Sequence, residues 1–255
     1  MQPRASSPDA DSRAGNGISV VIPVWRENGT LFDILRTFST WPELREVIVV
    51  VAEETPEFRG AAEAAGALSI PAGQPNRGRQ MNLGARHAGG EWLLFQHADT
   101  ELTRAHVQAL AALGDAVGGA FHRKFDERHP HCRWIEPFER WRNARFGALF
   151  GDQSLFVRRD HFEKLGGFAD IPLMEDLEFS KRLRRSGPIV LLDPPVATST
   201  RRHARHGAWK TTLTNAALIA LYKLGVSPAR LHAWYYGIQK PVETPTPVLT
   251  QTHEN

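Results

Sequence analysis

A single cysteine, Cys132, in 255 residues has no partner for an intramolecular disulfide. Nothing in the chain therefore calls for an oxidising compartment. Long apolar runs are missing too. The longest, Ala216 to Tyr222, spans seven residues, against the roughly 20 that a bilayer-spanning helix needs. Met1 to Gly17 is built mainly of Ser, Asp, Arg, Ala and Gly, without the hydrophobic stretch of a secretory signal. Neither G-x-G-x-x-G nor G-x-x-x-x-G-K occurs, so the dinucleotide and P-loop fingerprints are absent. Charge of one sign is not in large excess: 31 Lys and Arg face 28 Asp and Glu, a net +3. With 42% hydrophobic and 23% charged residues, the composition excludes a disordered tail protein, a collagen-like repeat and a bundle of membrane spans. The pI of about 9.2 points to anionic partners without choosing among them. The expectation is a cytoplasmic globular protein, with peripheral contact at the inner membrane face as a variant of it.

What is present is an alternation of strands and helices. Ile18–Ile22 is a β-branched run ended by Pro23, and Leu31, Ile34, Leu35 and Phe38 follow at helical spacing. Val47–Val51 is a second buried strand, an Ala-rich helix around Gly60–Gly66 follows, and Leu68–Ile70 is a third strand. Asn82–Ala88 reads as helix and Trp92–Phe95 as strand. This pattern predicts a mostly parallel sheet covered on both faces, with ligands beyond the carboxyl ends of its strands. Further on, Val107, Leu110 and Leu113 suit a helix ending at Gly114, and Gly118–Phe121 a strand. Trp134, Phe138 and Trp141 share one helix face, a packing stripe. Asp160 and Glu163 read as a capping box for a helix that Gly166-Gly167 stops. Glu175–Arg185, stopped by Gly187-Pro188, and Leu213–Leu224 are the last helices.

Several residue groups suit chemistry. Asp99 follows a buried strand, where a carboxylate serves a hard divalent ion; a turn aspartate or helix N-cap is the plainer alternative. Asp176 shares a helix face with Phe179, Ser180 and Leu183, so it points inward, while Glu175 points about 100° away. At a helix start both carboxylates gain from the dipole, which predicts a lowered pKa and a weak base. Asn76–Gly84 puts Arg77 and Arg79 around a glycine just before a helix, either an anion site or a polar loop. Arg201–His206 holds three arginines and two histidines, a solvated surface or a lid over phosphates. His122, His129, His131 and Cys132 fit no standard zinc spacing.

Taken together, these motifs resemble the family 2 glycosyltransferases of GT-A fold, over about Ile18 to Tyr236. Ser19–Glu27 is similar to that family's first strand and nucleotide-binding loop, and His97-Ala98-Asp99 stands where it has an Asp-x-Asp metal motif. Gly151-Asp152-Gln153 and Met174-Glu175-Asp176 resemble its acceptor region and Glu-Asp base motif. Pro75–Ala85 with Leu173–Asp176 is most similar to a bacterial subgroup labelled radical-SAM/selenodomain-associated transferase 2. Two departures stand out: the nucleobase-contacting aspartate of relatives is missing from Val49–Glu53, and His97 replaces the first metal-motif aspartate.

The resemblance implies an α/β GT-A fold, with a Rossmann-like nucleotide-binding half on a mostly parallel sheet fused to an acceptor-binding half. The tails would be residues 1–17 and 238–255, around one domain at 18–237. Within it, 18–114 would bind the nucleotide-sugar, 115–206 the acceptor, and 207–237 would form a C-terminal helical segment. The implied activity is a hexosyltransferase-type, inverting transfer from a nucleotide-diphospho-sugar to an acceptor hydroxyl. The donor would be a UDP-sugar first and a GDP-sugar second, and no nucleic acid is implied. Asp176 would be the catalytic base. Pro23, Glu27, Arg79, Arg201, Arg202 and His203 would hold the donor, and Gly151, Asp152, Gln153 and Glu175 would line the acceptor side. Asp99 and His97 would carry Mn²⁺ or Mg²⁺. Two rivals remain open, a nucleotidyltransferase acting on sugar phosphates and a non-catalytic nucleotide-sugar-binding relative. Against the first, Val24–Asn28 lacks the Gly-rich, Lys-containing loop; against the second stand the intact Asp99 and Asp176.

Overall fold

The computed structural model describes residues 17–25, 30–97, 100–125, 149–198 and 208–238. Its centre is an eight-stranded sheet in the order β3-β2-β1-β4-β7-β6-β8-β5. The strands are β1 Ile18–Val24, β2 Leu44–Val51, β3 Leu68–Pro71, β4 Trp92–Phe95, β5 Thr100–Glu101, β6 Gly118–Phe125, β7 Phe156–Arg158 and β8 Ile189–Thr198. β1 to β4 are mutually parallel. β7 runs against β4 and β6, β8 lies parallel to β6, and β5 closes the edge antiparallel to β8.

Alternation along the strands builds two cores, because successive side chains leave opposite faces of a sheet. Val20, Ile22, Val47, Val49 and Leu94 face one way, against α1 (Leu31–Phe38), α2 (Pro56–Ala64) and α4 (Arg104–Ala111). Val21, Ile48, Val50, Leu93 and Phe95 face the other way, against α3 (Arg77–His87), α5 (Arg159–Lys164) and α6 (Glu175–Ser186). Both faces are covered, so the strands are apolar throughout, as a parallel sheet requires. A third cluster joins Met174 and Leu177 to Leu218, Leu231 and Tyr235. It docks the C-terminal helices α7 (Ala208–Lys223) and α8 (Pro228–Ile238) over the start of α6.

Three local expectations are corrected. Pro23 lies inside β1 rather than ending it; it pairs with Val50, two residues beyond the last β1–β4 pair, Val21↔Phe95. Its missing N–H therefore falls where β4 has already left the ladder. Helix α3 begins at Arg77, not Asn82, because the Asn76 side chain caps it by accepting from Arg79 N at 2.9 Å. Asp160 and Glu163 form no capping box: Asp160 accepts from Lys164 and Glu163 from Arg159. Gly166 and Gly167 do end α5, both at positive φ. Among the described residues, no helix is long and apolar enough to cross a membrane.

Candidate functional site

Helix α3 sets the site's geometry. A Cβ on Gly84 would stand 2.4 Å from Val21 and 3.0 Å from Val50, so only glycine lets the helix lie this close to the sheet. One helical face upstream of Gly84 then reaches the carboxyl ends of β1 and β2. There Gln80 Nε2 donates to Val24 O at 2.8 Å and to Val50 O at 2.7 Å, clasping the two strands. One turn earlier, Arg77 Nε donates to Glu175 Oε1, and its Nη2 stands 3.8 Å from Asp176 Oδ2. Gly78 fits closely under the Ala169 carbonyl, 3.2 Å from where a Cβ would stand, with Glu175 in ordinary contact at 3.5 Å.

Asp176, in the first turn of α6, is held at both oxygens. Leu177 N donates to Oδ1 at 2.7 Å and Gly151 N to Oδ2 at 2.8 Å. Burial, and then the negative Glu175 beside it, push its pKa up to about 6; Arg77 and the two N–H donors pull the other way and lose. This corrects the expectation of a lowered value: desolvation by burial outweighs the dipole. Glu175 is also buried, and its partner is Arg77. Burial works against the Arg77 charge, but Glu175 and Asp176 outweigh it and keep the guanidinium firmly protonated. Met174, just before the pair, takes a left-handed φ of 69°, an unfavourable conformation for a side chain of its size. The strain is borne where the two carboxylates are aimed.

The second wall is a 3₁₀ turn at Gly151–Gln153. A Cβ on Gly151 would come within 2.6 Å of His97 Nε2 and 3.5 Å of Asp176 Oδ2, so this glycine is where the end of β4 and the start of α6 meet. Asp152 takes an ion pair from Arg123 on β6. Burial opposes ionisation there, but Arg123 first and His97 next hold the carboxyl below its usual range. Gln153 is structural, its amide bridging Phe121 O and Phe150 N. Ser154, in left-handed conformation, donates to Gln96 Oε1 at 2.6 Å, and Gln96 Nε2 in turn holds His97 O.

The structure thus brings together His97, Gly151, Asp152, Glu175 and Asp176; Pro23 lies on the carboxyl end of β1, next to Val24, whose carbonyl Gln80 holds. Arg79 is not among them. Two residues after Arg77 and so about 200° around the helix, it sits exposed in a bidentate pair with Asp170, at 2.6 and 2.8 Å. Glu27, Asp99, Arg201, Arg202 and His203 lie outside the described residues, as do His129, His131, Cys132 and the Trp134–Trp141 stripe. Sequence reasoning named Arg77 only as half of a candidate anion site, not as the partner of Glu175, and it missed Gln80 and Arg123. The places of Arg77 and Gln80 were findable, because Arg77, Gln80 and Gly84 recur at i, i+3 and i+7; Arg123 carries no such signal, its partner being 29 residues away.

Among the described residues, no three His, Cys, Asp or Glu side chains are grouped to hold a metal. His97 is the described member of the His97/Asp99 pair. An imidazole nitrogen with a carboxylate is a mixed donor set, which fits Mn²⁺ better than the all-oxygen preference of Mg²⁺.

Comparison with known proteins follows the same lines. The model of the family described as glycosyl transferase family 2 matches residues 19–166, more than half of the chain. No curated protein sequence matches it. Among solved structures, a mannosyltransferase from Pyrobaculum calidifontis in complex with GDP-Man and Mn²⁺ is similar, with a TM-score of 0.62 and 20% identity. That match covers 92% of this chain and 73% of the other. TarS (residues 1–349) from S. aureus gives 0.55 at 13% identity, covering 86% and 70%. Glucosyl-3-phosphoglycerate synthase from Mycobacterium tuberculosis, in complex with Mg²⁺ and UDP, gives 0.52 at 16%, covering 74% and 71%. At these identities the likeness is one of fold, and that fold is the GT-A arrangement.

Proposed function

Because the chain belongs to glycosyl transferase family 2, we propose that it is an inverting transferase, moving a sugar from a nucleotide-diphospho-sugar to an acceptor hydroxyl. The radical-SAM-associated subgroup is proposed on the same residues as before, Pro75–Ala85 and Leu173–Asp176. The observation that carries the reading is Asp176: a carboxylate fixed at both oxygens, at the carboxyl edge of the sheet, with its pKa raised to about 6. A general base works best when its pKa lies near the working pH. Asp176 takes the hydroxyl proton as the acceptor oxygen bonds to the anomeric carbon, from the face opposite the departing diphosphate. The bond from that carbon to the diphosphate oxygen breaks, and the electron pair leaves with the nucleotide.

The surrounding residues divide the remaining work. Arg77 pairs with Glu175 and offsets part of the repulsion between the two adjacent acids. Gly151 N fixes the Asp176 oxygen that faces His97. Pro23, Glu27 and the loop after β2 border the nucleoside, and Arg201, Arg202 and His203 close on the diphosphate. Asp99 and His97 would hold a divalent ion, Mn²⁺ ahead of Mg²⁺, which would supply charge neutralisation at the leaving diphosphate. Residues 18–114 form the donor half and 115–206 the acceptor half.

The test is a panel of UDP- and GDP-sugars with Mn²⁺, read by thermal stabilisation and by slow release of free sugar. Stabilisation by one donor, with sugar released in the anomeric configuration opposite to the donor's, is expected. Sugar-phosphate consumption with release of pyrophosphate would mean a nucleotidyltransferase, and binding without turnover of any donor a non-catalytic relative.

A further inference from the structure

Away from the candidate site, the C-terminal helices turn an unusual face outward. Between Ala208 and Ile238 the sequence holds no Asp or Glu, while Lys210, Lys223 and Arg230 are present. On α7, Leu213, Ala216 and Ala220, with Leu224 just past the helix end, follow one another three or four residues apart and are all exposed. Leu213 is 65% exposed and Leu224 82%. That spacing makes one apolar stripe along the helix, and Lys210 and Lys223 fall on its two flanks. On α8, Trp234 and Tyr236 are also exposed. The opposite side of both helices is used up in packing, through Leu218, Leu231 and Tyr235.

Beside Leu224 opens a cavity of about 750 Å³, between α6 and the α7–α8 turn. Its charged lining is wholly basic: Lys181, Arg184, Arg185 and Lys223. Leu177, Tyr222, Val226 and Pro228 make the apolar part. The acid closest to it along α6, Glu178, is taken up by Arg182. Cations around a cavity whose lining residues Lys223 and Gly225 flank the exposed Leu224 suit a ligand that is anionic at one end and apolar at the other. A free anion satisfies the cavity but not the stripe, and a second copy of this acid-free face would bring like charges together. A bilayer containing anionic phospholipid satisfies both.

We propose that α7, the α7–α8 turn and the basic cavity form a docking surface for an anionic phospholipid membrane. Leu213 and Leu224 enter the headgroup region, and the cavity cations receive lipid phosphates. Tyr236, on α8, lies in the neighbourhood of Arg77, so a docked membrane sits beside the mouth of the site. The proposal does not depend on the reaction, and its test does not require turnover.

The full chain is mixed with vesicles of phosphatidylcholine alone, or with about a third phosphatidylglycerol, and sedimented. Binding to the anionic vesicles, weakened as salt shortens the Debye length, is expected. Arg184→Gln and Lys223→Gln should each lower affinity roughly five-fold, and Leu213→Glu/Leu224→Glu should lower it at least about ten-fold. All four side chains are exposed, so the variants should keep the wild-type circular dichroism and melting temperature. No binding, equal binding to both vesicles, or binding indifferent to the leucine variants would overturn the proposal. So would a dimer in light scattering that Leu213→Glu converts to monomer, since the stripe would then belong to a second copy.

Discussion

Two aspartates of one site, Asp152 and Asp176, face opposite electrostatic fates. Asp152 sits in the 3₁₀ turn with an arginine bonded to it, and its pKa is lowered. Asp176 opens α6, the neighbouring acid Glu175 acts on it more strongly than Arg77 does, and its pKa rises to about 6. Burial penalises both, so what separates them is the partner: Arg123 is committed to Asp152, whereas Arg77 gives its hydrogen bond to Glu175 and stands 3.8 Å from Asp176. A fixed charge and a proton acceptor are thus made from the same residue type by the placing of two guanidinium groups.

The comparison breaks most completely at Asp176→Asn. The amide keeps the shape but accepts no proton, so kcat should fall by about 10²- to 10⁴-fold with donor binding retained. A variant within a few-fold of wild type would remove Asp176 from the mechanism. The same variant has a signature in stability. The folded protein holds the Asp176 proton more tightly than the unfolded chain, so this group costs stability as pH rises from about 4 to about 6. That decline in melting temperature should be absent from Asp176→Asn.

Arg77→Met comes next in size. It leaves Glu175 buried without its ion-pair partner, which should cost about 1–3 kcal/mol, less than a fully buried pair because Arg77 is partly exposed. It also removes the cation that restrains Asp176, so the acid limb of the rate profile should move to higher pH. His97→Asp restores an all-oxygen pair with Asp99 and should shift metal preference toward Mg²⁺ by several-fold. Titration of nucleoside diphosphate in each metal checks this; unchanged preference would remove His97 from the ligand set. Arg123→Met has the smallest expected effect. The Asp152 titration should move up toward the ordinary carboxylate range, visible by NMR, with little change at Asp176.

Much of this was legible in the sequence where the cause was local. The β-branched runs of β1 and β2, the Gly166-Gly167 stop and the inward face of α6 each follow from neighbouring residues. The start of α3 was missed because its cap, Asn76, sits at the head of a stretch with few apolar residues; with it went Gln80 and the helical phase that turns Arg77 toward Glu175. The direction of the Asp176 shift was missed for another reason. Helix-dipole reasoning sees one helix, whereas burial depends on what the fold brings in: Met174 and Leu177, on either side of the Glu175–Asp176 pair, pack on Leu218, Leu231 and Tyr235, more than forty residues away. Arg123 and Asp152 likewise meet only through the sheet.

The central claim, that Asp176 is the base and that Glu175 helps to hold its pKa up, is tested most directly by the pH dependence of kcat/KM in wild type and Glu175→Gln. Wild type should lose activity on the acid side with a midpoint near 6. Replacing the neighbouring negative charge by an amide, and freeing Arg77 toward Asp176, should move that limb to lower pH. An acid limb already in the ordinary carboxylate range, or one that stays in place in Glu175→Gln, would contradict the account.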